Sequence, residues 1–237
     1  MIRSNLFRLM LSAALAGTAV QAHAVDVEVE VQNLTRGIYF TPLLVTAHTP
    51  DQSLFNVGEA ASAELQAMAE GGDISGLETA AMAISADMVA NPAGGLLMPT
   101  ASTTATFTTA DTNTALSIVG MLLPTNDGFV GLNSWPIPQE AGTYTVYLNA
   151  YDAGTEANDE IRGGGAPGAP GMPVPTPLED LIGTGGSGVT TTINNAMVHI
   201  HPGNLGDADM MGGQSDIQNT VQRWLNPVAK VTVTVTE

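Results

Sequence analysis

Strict alternation of apolar and polar residues begins after residue 24. In residues 25–31 the valines fall on one face, and Asp26, Glu28 and Glu30 fall on the other. This two-residue period is typical of a half-buried β-strand. The same alternation returns in residues 142–150 and in the closing stretch 228–236. Because the first and last stretches share a valine-rich face, we expect them to lie near one another in one sheet.

Three further stretches have strand character. Residues 100–109 are rich in threonine, which favours strands, and the turn at 111–113 leads from them into the apolar run 116–123. This succession predicts a hairpin. Residues 38–47 form another apolar run, interrupted at Pro42. A proline within a strand predicts an edge strand or a bulge at that point.

The pattern changes character in residues 53–72 and 75–88, where alanine, leucine and methionine favour helix and Gly71-Gly72 ends the first segment. We expect both helices to be insertions packed on one edge of the sheet structure. Residues 135–138 contain two prolines and are therefore not expected in a central strand. Together these patterns of apolar and polar residues predict an all-β fold, an antiparallel β-sandwich with short helical insertions.

Residues 163–188 break all periodicity, because they read GGGAPGAPGMPVPTPLEDLIGTGGSG. Glycine and proline at this density predict a long, flexible loop, either a tether or a lid over neighbouring turns. The remaining strands and helices belong to a single domain. We therefore expect one β-sandwich domain over residues 25–237, with the flexible loop inside it.

Residues 1–24 carry Arg3 and Arg8 before an apolar run and end in Ala22-His23-Ala24. This order is that of a secretory signal peptide, so we expect cleavage after Ala24 and a secreted or periplasmic protein with no transmembrane segment. The chain has no cysteine, so disulfides cannot stabilise it after export. The net charge of −17 argues against binding to nucleic acid or to anionic lipid, since both need Lys and Arg.

The candidate chemistry lies in two turns that carry aspartate. Asp127 follows the apolar run 116–123, and Asp152 follows the alternating run 142–150, with Glu156, Asp159 and Glu160 close behind. If both runs belong to one sheet, the two turns can converge at the same end. Such a density of carboxylates suits a hard cation such as calcium. The alternative is ordinary turn chemistry, because Asp, Asn and Gly are common in turns for backbone reasons alone.

His199 and His201 form a second candidate group. They lie two residues apart, so on a strand both point to the same face. They are either a metal-binding pair or a partly exposed pair at a turn. No GxSxG, HExxH, P-loop or GxGxxG motif stands in the context that its mechanism needs, so we do not expect an enzyme.

Three short motifs carry a resemblance to a known family: NDGFVGL at 126–132, YDAGT at 151–155 and NPVAKVTVT at 226–234. With them the chain resembles the spondin domain, the N-terminal module of F-spondin and mindin that also occurs as a single-domain secreted protein in bacteria. The resemblance covers about residues 25–237. It implies a β-sandwich with one calcium site.

The resemblance also implies the ligands of that calcium ion. The aspartates of the first two motifs are ligands in the family. The resemblance therefore implies that Asp127 and Asp152 bind the calcium ion. The family's third carboxylate is a Glu on the preceding strand, but residues 103–111 contain no Glu. Asp111 is the substitute there, and only with a shifted register. The implied metal ligands are therefore Asp127, Asp152 and Asp111.

The implied function is that of a secreted, non-enzymatic calcium-binding module that mediates extracellular adhesion or binds a protein or a surface polymer. Two alternatives stay open. One is a metal-dependent extracellular hydrolase that uses the acidic cluster with His199 or His201. The other is a structural envelope component in which the acidic residues only make the protein soluble.

Overall fold

The structure is a computed structural model that describes residues 23–236. The signal peptide predicted over residues 1–24 lies outside the described residues, except for its last two. Within the described part, no helix is both long and apolar enough to cross a membrane.

The described residues form one antiparallel sheet of ten strands, which confirms the predicted all-β class. The strands are β1 Asp26–Asn33, β2 Tyr39–Phe40, β3 Leu44–His48, β4 Asp87–Ala90, β5 Ser102–Thr108, β6 Ala115–Leu123, β7 Gly128–Pro136, β8 Gly142–Asp152, β9 His199–Ile200 and β10 Ala229–Thr236. Their order is β4-β3-β6-β7-β8-β10-β1-β5, with β2 beside β6 and β9 beside β8.

The sheet curves until it is nearly closed. Its two end strands meet through Asp87 of β4, whose carboxylate accepts the N–H of Ala110 at 2.6 Å and the side-chain amide of Asn113 at 2.9 Å. Both donors lie in the turn between β5 and β6. The curvature encloses a central core.

The first and last strands are neighbours, as the alternating valines predict. β1 and β10 pair along their whole length, with Val27 opposite Val235 and Val31 opposite Val231. The valines of both strands are buried in the central core. The acidic residues of β1 alternate with them and are exposed, so this strand is half-buried.

Strand β6 is buried at all nine positions because both of its faces are covered. Its inner face packs into the central core, and its outer face packs into a second core. The second core takes its side chains from two helices, α1 Ala63–Gly71 and α2 Ser75–Ala83, and from the chain after β8. The helices thus cover a face of the sheet and do not sit on its edge, where we expected them.

Helix α1 has clear signals at both ends. The hydroxyl of Ser62 accepts the N–H of Leu65 at 3.1 Å, which caps the first turn. Gly72 ends the helix with a φ of 70°, a left-handed conformation that suits glycine. Helix α2 stops at Ala83, earlier than predicted, and Asp87–Ala90 form strand β4 instead.

One local prediction about strand pairing is wrong, and a second holds only in part. β5 pairs with β1 and not with β6, because the turn after β5 is drawn toward β4 by the bonds from Asn113 to Ser85 and Asp87. Of the two alternatives predicted at Pro42, an edge strand or a bulge, the first does not hold for β3, which lies between β4 and β6. The break at the proline divides this run into β2 and β3.

The segment 163–188 contains no β-strand of the sheet, but it is more closely packed than its composition suggests. It includes a 3-10 helix, Thr176–Leu181. Met172, Leu178 and Ile182 are buried, the last two in the second core. The segment therefore contributes to the cover over the outer face of β6. Its flexibility stays a prediction for the glycine-rich parts that remain exposed.

Candidate functional site

Two turns that carry aspartate meet at one end of the sheet. Asp127 lies between β6 and β7, and Asp152 is the last residue of β8. Gly128 pairs directly with Asp152 in the β7–β8 ladder. The N–H of Ala153 also donates to the carbonyl of Asp127 at 3.1 Å. The antiparallel pairing of two adjacent strands therefore brings Asp127 and Asp152 together.

The Asp127 carboxylate is fully buried, and its two oxygens have different surroundings. Oδ2 accepts the N–H of Thr155 at 2.8 Å, the N–H of Glu156 at 3.1 Å and the hydroxyl of Thr155 at 3.2 Å. Oδ1 has no hydrogen-bond partner among residues 23–236. A buried carboxylate oxygen without a partner destabilises the folded state. A proton or a cation bound to this atom would remove that cost.

The electrostatics of Asp127 point the same way. Burial raises its pKa to about 7, and the negative charge of Asp152 contributes to the rise. The hydrogen bonds from Thr155 and Glu156 act in the opposite direction. Near neutral pH the side chain is therefore divided between a protonated form and an ionised form. A bound cation would favour the ionised form of both aspartates.

Asp152 is buried as well and organises the turn that follows it. Its Oδ1 accepts the N–H of Gly154 at 2.8 Å, and its Oδ2 accepts the side-chain amide of Asn158 at 2.6 Å. Gly154 has a φ of 72°, and a Cβ there would meet the backbone of residues 195–197. Glycine is thus required at this position by both conformation and space.

Asn126 links the two turns from the other side. Its amide nitrogen donates to Glu156 at 3.0 Å and to Asp159 at 2.8 Å, and its carbonyl accepts the N–H of Glu160 at 3.1 Å. The acidic residues that follow Asp152 are therefore held by the first turn. Burial raises the pKa of Glu156, and hydrogen bonds from Gly171 and Asn126 oppose that rise.

Strand pairing places both histidines beside Asp152. Alternation along β8 puts Leu148, Ala150 and Asp152 on the face that lines the central core. His199 pairs with Asp152, and the N–H of His201 donates to the carbonyl of Ala150. Cross-strand neighbours share a face. Asp152 and the two histidines therefore lie together at the mouth of the curved sheet.

His201 is buried against Trp224, with ring centroids 5.0 Å apart. Burial lowers its pKa to about 4, so the ring is neutral at physiological pH. Its Nδ1 accepts the N–H of Gly203 at 3.0 Å, which places the ring hydrogen on Nε2. Within the described chain Nε2 has no partner. This tautomer leaves no ring lone pair for a metal ion.

His199 has the opposite arrangement. Its Nδ1 lies 2.8 Å from the carbonyl of Met197, so Nδ1 carries the hydrogen and donates it. The same atom lies 3.7 Å from Asp152 Oδ1. The Nε2 lone pair of His199 receives no hydrogen bond from the residues that the structure describes. His199 can therefore accept a bond from a ligand, whereas His201 cannot.

Asp111, the third implied ligand, lies elsewhere. Its carboxylate accepts the N–H of Ala24 at 2.8 Å, beside the start of β1. It precedes β6, whereas Asp127 follows the same strand. Strand β6 alone has nine residues, a span of roughly 26 Å at about 3.3 Å per residue. The structure does not bring Asp111 to the other two aspartates, because no shift of register can move it from one end of β6 to the other.

A pocket of about 160 Å³ opens beside Asp152. It is lined by Asp152, Glu156, Asn158 and His199, together with Thr190, residues 192–195 and Pro202. The pocket connects the buried aspartate with solvent. A ligand can therefore reach this end of the sheet without disturbing the central core.

The residues of the two turns can be compared with what calcium needs. Between residues 23 and 236, no group of three or more His, Cys, Asp or Glu side chains is arranged to hold a metal ion by itself. Calcium takes about six to eight oxygen ligands, and these include backbone carbonyls and water as well as carboxylates. Asp127 and Asp152 supply two carboxylates, and Asp127 Oδ1 is unpartnered among the described atoms. This donor set fits calcium if carbonyls and water complete it.

Sequence reasoning missed the amides that support the two aspartates. Asn126 and Asn158 hold Glu156, Asp159 and Asp152 in place. The available signal was their position, since one lies beside the first aspartate and the other six residues after the second. Asn is common in turns for local reasons. Its long-range role follows only from the pairing of β7 with β8.

The comparisons with known proteins identify one family. A family model described as Spondin_N matches residues 31–170, more than half of the chain. The matched range contains Asp127 and Asp152, but it ends before His199 and His201. No curated protein matches the chain.

Proposed function

Because the chain belongs to the spondin N-terminal domain family, we propose that it is a secreted calcium-binding module that binds an extracellular partner. The family is one of extracellular domains and is not known as enzymatic. The proposed calcium ion is held by Asp127 and Asp152. The proposed partner is a protein or a surface polymer that contacts the loops at this end of the sheet.

One observation carries the proposal. The Asp127 carboxylate is fully buried next to a second buried carboxylate, and its Oδ1 meets no donor in residues 23–236. Two buried like charges destabilise each other unless one is protonated or a cation is present. Among the described residues, the only basic side chain within 4 Å of either carboxylate is His199, whose Nδ1 lies 3.7 Å from Asp152 Oδ1.

Calcium would supply positive charge and structural order. The two turns are already joined by the bonds from Thr155 and Glu156 to Asp127. An ion bound to both carboxylates would hold these turns, and the loop that follows them, in one arrangement. A loop ordered before binding loses less conformational entropy when it binds a partner. Calcium is therefore proposed to prepare a binding surface and to take no part in chemistry.

Calorimetric titration of the mature protein with calcium tests this function. We expect uptake of one ion per chain, and loss of that uptake in Asp152→Asn. Asp26→Asn is the matched control, because Asp26 is an exposed aspartate of β1. Absence of uptake up to millimolar calcium would contradict the proposal.

A second candidate is a metal-dependent hydrolase. The position of His199 favours it, since an imidazole whose Nε2 has no partner among the described residues lies beside a buried carboxylate. Its test is a screen of ester and polysaccharide substrates with zinc or calcium present. Turnover that is lost in His199→Ala and retained in His201→Gln would replace the binding module by this enzyme.

A further inference from the structure

The pocket of about 160 Å³ beside Asp152 has a wall that accepts hydrogen bonds. Asn158 donates its amide to Asp152, which leaves its own carbonyl oxygen unused. Glu156 accepts two bonds at Oε1, from Asn126 and Gly171, and its Oε2 accepts none from the described residues. His199 adds the lone pair of Nε2. This wall therefore presents three unused acceptors.

Residues 192–195, which also line the pocket, supply a second wall of hydrogen-bond donors. The hydroxyl of Thr192 and the amide of Asn194 make no hydrogen bond within residues 23–236. The Asn195 carbonyl accepts the N–H of Met197 at 3.1 Å, and its amide hydrogens remain available. The backbone N–H of Thr192 is already bonded to Thr190, so the loop is held locally while its side chains stay available.

These walls restrict the chemistry of a ligand. A hydroxyl group both donates and accepts, so a ring that bears several hydroxyls can satisfy both walls at once. The carboxylates of Glu156 and Asp152 would repel an anion in this pocket. Ile193 and Pro202 provide the apolar part of the lining, which suits the C–H face of such a ring. The matching ligand is neutral and polyhydroxylated.

The size of the pocket sets a further limit. Sites for drug-sized ligands measure about 300–1,000 Å³, and one water molecule occupies about 30 Å³. A pocket of about 160 Å³ lies between these limits. It can hold a single small ring, whereas a longer ligand must extend into solvent. One residue of a longer chain would therefore be bound at a time.

We infer that this pocket binds one residue of a neutral saccharide, as found in a surface polysaccharide. The inference rests on the proposed function, because it names the chemical class of the extracellular partner. Asp152 belongs to both the cation site and the pocket wall. An ion that holds Asp152 also fixes Asn158, so calcium should strengthen saccharide binding, and the saccharide should strengthen calcium binding by the same factor.

Saturation-transfer NMR with a panel of neutral methyl hexosides tests the inference on the mature protein, in calcium and in chelator. We expect at least one hexoside to bind in calcium, and to bind more weakly in chelator. Thr192→Val should weaken that binding by about fivefold, because it removes one hydrogen-bonding hydroxyl. Thr104→Val is the matched control, since Thr104 is an exposed threonine of β5. Calcium uptake should be unchanged in both variants.

The possible outcomes separate this inference from the proposed function. Normal calcium uptake without hexoside binding would overturn the saccharide site and leave the calcium module intact. Hexoside binding that Thr192→Val does not weaken would also overturn it. Binding of a lysine-rich peptide in chelator, in place of any hexoside, would show that the carboxylates select an amine. If calcium uptake is absent, hexoside binding that is lost in Thr192→Val still supports the pocket.

Discussion

Asp127 Oδ2 accepts the backbone N–H of Thr155 at 2.8 Å, so the carboxylate of the first turn holds the second turn. The two turns are 28 residues apart in the chain and are joined directly by hydrogen bonds between protein atoms. The N–H of Ala153 and the carbonyl of Asp127 reinforce the same contact. A cation that binds here meets a site whose protein part is already assembled. Substitutions in either turn should therefore change both cation binding and stability.

The first prediction compares two replacements of Asp127 in chelator at pH 8. Asp127→Asn removes the buried charge beside Asp152 but keeps an oxygen for Thr155 and Glu156, so it should stabilise the protein by about 1–3 kcal/mol. Asp127→Ala removes that oxygen and leaves two backbone N–H groups without their acceptor. It should destabilise by about 2–4 kcal/mol. Urea unfolding measures both changes.

Neither variant should take up calcium. Below about pH 4 the gain from Asp127→Asn should disappear, because the native side chain is then protonated and neutral in both the folded and the unfolded state. An Asn variant that is less stable than the native protein at pH 8 would show that the charge of Asp127 is compensated within the protein.

The second prediction concerns removal of calcium. A ligand present at about a hundredfold above its Kd stabilises the folded state by about 2.7 kcal/mol. For a domain of this size that corresponds to a fall in Tm of roughly 5–10 °C when the ion is removed. Differential scanning calorimetry in calcium and in chelator measures the shift. Asp152→Asn should abolish the shift, whereas Asp26→Asn should retain it.

The strands with a regular period were predictable from the sequence. The valines of β1 and β10 alternate with polar residues because each strand has one face in the core and one in solvent. The alternation along β8 predicts its course up to Asp152. Two of the three implied ligands then follow from where strands end. Periodicity depends only on residues close together in the chain, so the course and the ends of these strands can be predicted from the sequence alone.

Pairing between distant strands was not predictable in the same way. Asp111 was implied as a ligand only with a shifted register, and β5 and β6 were separately expected to form a hairpin, whereas β5 pairs with β1. The choice depends on Asn113, which bonds to Ser85 and Asp87 far back in the chain. Likewise, β6 carries no alternation because two separate cores cover its faces. Such contacts are visible only in the folded chain.

The third prediction is a pH dependence of stability in chelator. The folded state raises the pKa of Asp127 to about 7, so it binds a proton that the unfolded state has lost, and stability falls as pH rises from about 4 to 7. The folded state lowers the pKa of His201 to about 4, so stability rises with pH from about 4 to 6.5. The two effects oppose each other. The native protein should therefore change little in stability between these limits.

Single variants should reveal each effect. His201→Gln keeps an acceptor for the N–H of Gly203. Of the two opposing groups, only Asp127 then titrates, so stability should fall by up to about 4 kcal/mol between pH 4 and 7. Asp127→Asn should show the opposite slope, a rise of up to about 3 kcal/mol between pH 4 and 6.5. Urea unfolding at several pH values measures both. Equal slopes in the two variants would contradict the assigned causes.

The last prediction locates the first site of limited proteolysis. The glycine-rich and proline-rich segment 163–188 was predicted to be flexible, which would make it the first site of cleavage, but Leu178 and Ile182 are buried in the second core. Residues 191–197 are exposed, and their hydrogen bonds are mostly local. Local opening there should cost much less than opening the 3-10 helix. Elastase should therefore cut first within 189–197, as mass spectrometry of the fragments can show.

A variant shows whether packing of the segment is the reason. Leu178→Ala removes a buried side chain and should cost about 2–5 kcal/mol. Because Leu178 anchors the 3-10 helix to the second core, this loss should open the segment and bring new cuts between residues 163 and 188. Leu181→Ala is the matched control, since Leu181 lies on the same helix with its side chain exposed. First cuts within 163–188 in the native protein would mean that its buried leucine and isoleucine do not hold it, and that the loop is as flexible as its composition predicts.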